Sequence, residues 1–83
     1  MNIGRKVYFS KDSGVVIWDK GEMSGDVRET TFDEDCQAMP VLTLVDSEKL
    51  GVVQLEYGAY ADEFSRCKGY IINSDTLKPE FVF

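Results

Sequence analysis

The chain contains no histidine. That removes together the commonest general base and the commonest zinc ligand. Cysteine is scarce as well. Cys36 and Cys67 stand 31 positions apart, which falls short of a structural zinc set and leaves neither thiol a base to activate it. Nine Lys and Arg residues face 15 Asp and Glu. The basic residues form no cluster that would track a phosphate backbone, so direct nucleic-acid binding is not expected. No apolar run approaches the ~20 residues that span a bilayer. Met1 to Lys6 also lacks the apolar stretch of a signal peptide. A cytosolic protein without membrane contact is the expectation, with both cysteines as reduced, core-facing thiols. Gly-rich phosphate loops, dinucleotide fingerprints and nucleophile elbows are missing too. No cofactor, metal or catalytic residue is therefore expected.

At 83 residues the chain offers material for a single domain, residues 1–83. Its hydrophobic fraction of 43% and aromatic fraction of 12% are too high for a disordered tail. The core is thin, however. Ordering a residue costs roughly 1.5 kcal/mol, so so small a domain gains from a partner or a second copy of itself.

Lys6–Ser10 and Val15–Asp19 are β-branched and aromatic runs separated by Lys11-Asp12-Ser13-Gly14. Asp and Ser begin a type I turn, and Gly14 suits the left-handed position that closes it with a bulge. The expected pairing sets Tyr8 opposite Trp18 and Phe9 opposite Ile17. One face then carries Val7, Phe9 and Ile17, and the other Tyr8, Val16 and Trp18. Lys20–Asp26 reads as a loop, and Val27–Thr30 as a short extended piece.

Thr31-Phe-Asp-Glu34 matches a capping box, with Phe32, Cys36 and Met39 on one helix face until Pro40 interrupts. Val41–Lys49 is either more helix or an irregular link. Val52–Tyr57 alternates as a strand, with Val53, Leu55 and Tyr57 on its buried side. Tyr60, Phe64 and Cys67 mark a second helix that Gly69 is placed to end. Tyr70–Ile72 and Leu77–Phe83, joined by Asn73–Thr76, read as a closing hairpin with Pro79 on an edge strand. The apolar end Phe81-Val82-Phe83 packs in the core, pairs with a partner, or continues into further chain. The expected fold class is α+β: a small antiparallel sheet with two helices, in the order β-hairpin, helix, strand, helix, β-hairpin.

Two features bear on function. Asp33, Glu34 and Asp35 are the densest carboxylate group, and a first helical turn is where negative charge complements the helix dipole. The aromatic surplus is the other. Tyr8, Trp18, Tyr57, Tyr60 and Tyr70 are many for so small an interior, and such side chains anchor protein interfaces. Tyr8, Val16 and Trp18 on one hairpin face form the candidate interface, unless the second hairpin or a helix covers them.

Four stretches carry a resemblance. They are Lys6–Ile17 (KVYFSKDSGVVI), Gly21–Thr31 (GEMSGDVRETT), Gly51–Phe64 (GVVQLEYGAYADEF) and Cys67–Tyr70 (CKGY). The chain resembles over nearly its whole length a family of small proteins in phages and prophages of Gram-positive bacteria. Their genes lie near the tail and tail-fibre genes, ahead of the lysis genes. Members tend to continue past the position of Phe83 into an acidic, Pro-rich tail, and this chain departs from them there. The resemblance implies a non-enzymatic structural or assembly-accessory protein of the tail region. It would work in the host cytoplasm during assembly or in the virion tail, through other tail-region proteins or self-association as a homo-oligomer. The alternative is an acidic phage-encoded inhibitor of a host enzyme that mimics nucleic acid. Asp33, Glu34, Asp35, Asp62 and Glu63 would stand in for phosphates.

Overall fold

A computed structural model describes residues 2–83. The strands are β1 (Asn2–Ile3), β2 (Lys6–Ser10), β3 (Val16–Asp19), β4 (Met23–Ser24), β5 (Leu50–Gln54), β6 (Gly69–Ile72) and β7 (Pro79–Val82). Helix α1 (Phe32–Ala38) runs into a 3-10 helix (Pro40–Leu44), and α2 (Ala61–Arg66) precedes the last hairpin. The fold is α+β. Instead of one sheet the described residues form three small antiparallel ones: β3-β2-β5, β1-β4 and β6-β7. The stretch expected as a loop supplies β4, which pairs Met23 with Ile3, while Val27–Thr30 forms no strand.

The central sheet is apolar on both faces because both are covered. Val7 and Phe9 pack on one side with Ile72 of β6, and Val16, Val53 and Tyr70 close around them. On the other side Tyr8 stacks on Trp18 with ring centroids 6.0 Å apart and meets Phe32 of α1 at 6.1 Å. The chain thus builds three layers: α1 on one face, the sheet, and the β6-β7 hairpin on the other.

The first hairpin pairs Tyr8 with Trp18 as expected, but a bulge then sets Phe9 opposite Val16 rather than Ile17. One extra residue on β3 reverses the side that Val16 faces. Val16 therefore joins Val7 and Phe9 in the core and not the Tyr8 face. Gly14 does take the left-handed conformation, with φ at 77°. Its carbonyl accepts from the Ile72 N–H at 2.9 Å, which ties the first hairpin to the last.

Helix α1 begins with the expected capping box. Thr31 Oγ1 accepts from the Glu34 N–H, and the Glu34 carboxylate accepts from the Thr31 N–H. Such a cap contributes about 1 kcal/mol. The buried face of this helix is not the one its periodicity suggests. Phe32 is 47% exposed, and Asp35 is the residue that is fully buried. Cys36 and Cys67 are free thiols at half-buried positions rather than core residues.

The second helix ends at Arg66, with Cys67 extended beyond it, so Gly69 opens β6 instead of closing α2. Its apolar face does what its spacing suggests. Phe64 sits edge-on to Tyr70 at 5.0 Å and to Phe81 at 4.9 Å, and Tyr60 meets Phe81 at 5.8 Å. Phe81 is thus packed, whereas Val82 and Phe83 remain exposed.

Candidate interaction surface

Asp35 is 1% exposed and is held by four side chains. Lys6 Nζ donates to Oδ2 at 2.7 Å, Lys20 Nζ to Oδ1 at 2.7 Å and Thr30 Oγ1 to Oδ1 at 2.5 Å. The Tyr8 hydroxyl completes the set at Oδ2. Burial pushes the Asp35 carboxyl up, but the bonds from Lys20, Lys6, Thr30 and Tyr8 more than offset it. The group ends well below the usual carboxylate range. Lys6 and Tyr8 share a face of β2, and Lys20 follows β3, so two strand-borne donors and one just past a strand converge on one helix-borne acceptor. This is a structural anchor that fastens α1 to the sheet.

A second polar knot binds the opposite face. Asp19 Oδ2 accepts from Arg5 Nη1 at 2.7 Å and from the Tyr70 hydroxyl at 2.5 Å, and Oδ1 accepts from the Gly21 N–H at 2.7 Å. Arg5 lies 3.9 Å over the Phe64 ring. Burial, and then the bond to the Asp19 carboxylate, push the Tyr70 phenol far up. Tyr8 moves the same way by burial and by its bond to Asp35. Absorbance titration of tyrosinate is accordingly expected to show two phenols ionising late. Tyr70→Phe should remove one of them and leave the other. A phenol that is harder to ionise in the folded state stabilises it fully below pH ~10, and that stability is lost as pH rises further.

These two knots take up Tyr8, Tyr70 and Asp35 among the residues singled out for contact. Tyr8 is 1% exposed and Val16 lies on the opposite side of the sheet, so Tyr8, Val16 and Trp18 do not form one free face. The covering element is α1, with Phe32 and Asp35. The acidic group is similarly reduced. Asp35 is internal. Glu34 is held at about 2, first by the Arg28 hydrogen bond and then by the Thr31 backbone, and Asp62 pairs with Arg66 at 2.9 Å. Among the described residues Asp33 and Glu63 form no ion pair.

One strand edge left open is the outer side of β5; β3, at the other end of the central sheet, is likewise paired on one side only among the described residues. Among the described residues β5 pairs only with β2, through Val53 opposite Val7 and Gly51 opposite Phe9. The Lys11 N–H bonds the Lys49 carbonyl and the Leu55 N–H bonds the Arg5 carbonyl. These flanking bonds fix the phase of the ladder. Odd-numbered residues of β5 turn their N–H and C=O groups inward, and Leu50, Val52 and Gln54 turn theirs outward.

Apolar grooves flank this edge on both faces. One of about 460 Å³ is lined by Phe9, Leu50, Gly51, Val52 and Leu77, with Lys11 and Ser74 at its rim. The other, about 210 Å³, is lined by Tyr8, Phe32, Ser47, Leu50 and Val52. Val52 is 50% exposed and borders both. Gly51 is what makes room: an added Cβ would lie 2.4 Å from the Phe9 ring. Sequence reasoning missed this edge. Its signal was the run Leu50–Gln54, five residues without a charge.

The fold and the surface together define a small α+β domain with an unguarded strand edge. No known family model, curated protein or solved structure matches the chain. Among the described residues no helix is long and apolar enough to cross a membrane.

Proposed function

We propose that this chain is a phage tail-associated structural or assembly-accessory protein that acts through protein–protein contacts and not by catalysis. The observation that carries the reading is the unpaired β5 edge with an apolar groove on either side. Such an edge is a template for another chain. The balance of burial supports it as well. Six apolar residues are buried while eleven large ones are exposed among the described residues, and a surface of that kind gains from being covered. The sequence resemblance to small proteins encoded beside tail genes supplies the setting, in the host cytoplasm during assembly or in the tail itself.

The test is capture by the tagged full chain from lysate of phage-producing cells, washed at low and at high salt and read by mass spectrometry. Tail or fibre proteins retained through the high-salt wash are the expected result, because an apolar contact is insensitive to ionic screening. Exposed charges are screened within ~8 Å at physiological salt. Capture of a host DNA-binding enzyme that is lost at high salt would overturn the reading in favour of the acidic inhibitor.

A further inference from the structure

We infer that β5 is the self-association strand of this protein: two copies pair their β5 edges antiparallel about a two-fold axis at Val52. This makes one continuous six-stranded sheet, β3-β2-β5 of one protomer followed by β5-β2-β3 of its partner. The inference stands on strand geometry and not on the tail-protein reading, so either can fail without the other.

Three observations select a second copy as the occupant. The first is the phase of the edge. Leu50, Val52 and Gln54 aim their backbone groups outward, and an antiparallel twin centred on Val52 presents the same groups in return. Leu50 then lies opposite Gln54 and Val52 opposite itself, so each outward N–H meets an outward C=O.

The second is shape. In this register Gly51 of one copy lies opposite Val53 of the other. Gly51 is the floor of the larger groove, and Val53 already packs against the core beside it. A valine set against a glycine continues the apolar layer of Val7, Phe9 and Ile72 across the seam. On the opposite face the two half-exposed Val52 side chains meet each other, with Phe32 beside each.

The third is charge. The chain carries −6 overall, yet Leu50–Gln54 carries none of it, so the seam itself adds no repulsion. Natural edge strands are kept single by charge, proline, a bulge, shortness or a covering element; β5 carries no charge, proline or bulge.

The experiment is sedimentation equilibrium on the full chain over a concentration series, with far-UV circular dichroism as the check on folding. The native chain is expected to reach dimer mass. Val52→Lys places two ammonium groups against each other at the axis, and should weaken the dimer at least about tenfold with an unchanged spectrum, since like charges directly opposite are destabilising. Residue 52 is half exposed, so the substitution leaves the core intact. A native chain that stays monomeric overturns the inference and leaves the edge to a foreign strand. A dimer indifferent to Val52→Lys places the interface elsewhere.

Discussion

Asp35→Ala is expected to destabilise the domain by about 3–5 kcal/mol, the usual consequence of removing one partner from a buried ion pair. A chain of this length has a total stability of roughly 4–12 kcal/mol, so the loss would remove from about a quarter of it to all of it. The physical reason is what the substitution leaves behind. Lys6 and Lys20 both end on this carboxylate with side chains 19% and 10% exposed, and the Tyr8 hydroxyl is fully internal. Without Asp35 the phenol loses its acceptor, and the two ammonium groups lose their counter-charge and keep only Thr30, in a place that water barely reaches. Urea denaturation followed by circular dichroism measures the loss directly, and a midpoint within experimental error of the native one would refute the anchoring role.

The same group sets an acid limit. Asp35 lies well below the ordinary carboxylate range in the folded state, whereas the unfolded chain takes up its proton near pH ~4. Between those two values the unfolded state binds more protons. The stabilisation is therefore complete above about pH 5 and is lost progressively as pH falls. Glu34, held at about 2 by Arg28, acts in the same direction from an exposed position. The Asp35→Ala variant should show a shallower dependence of stability on pH below about 5 than the native chain, because its largest contributor has gone.

Gly14→Ala is expected to cost at least about 2 kcal/mol, combining the strain of a left-handed L-residue with an overpacked contact. Gly14 has φ at 77°. A Cβ there would lie 2.3 Å from the Ile72 carbonyl oxygen, which is backbone and has no rotamer to yield. Moving it would also disturb the bond from the Ile72 N–H to the Gly14 carbonyl, the link that seats the β6-β7 hairpin over Val7 and Phe9. For a domain this small the loss corresponds to a fall in melting temperature of roughly 10 °C or more. Gly21 provides the control. Its φ is 70° but an added Cβ meets nothing within 4 Å, so Gly21→Ala should show only the conformational strain, roughly 1–2 kcal/mol. Equal losses at the two positions would mean that the contact with Ile72 contributes nothing.

Local chemistry was legible in the residues wherever a signal was completed within a few positions. The capping box at Thr31 and Glu34, the turn closed by Gly14, the Phe64 face of α2 and the final hairpin all follow from short-range rules, and all are present. So is the α+β class, which needs only the alternation of two periods along the chain. The scarcity of basic clusters and the absence of histidine likewise required no fold to be read.

Tertiary structure decided which side of each element is inside. The bulge in β3 moved Val16 to the core face, because one inserted residue inverts a period of two and nothing in Val15–Trp18 marks its position. Helix α1 buried a carboxylate and exposed a phenylalanine, against its apolar periodicity. Lys6 and Lys20 lie far from Asp35 in sequence, and only the packing of α1 on β2 and β3 brings opposite charges close enough to outweigh the cost of dehydrating them. The open edge at β5 was settled in the same way. Whether a strand lies in the middle of a sheet or at its border depends on what else pairs with it, and that is a property of the assembled chain, not of the five residues themselves.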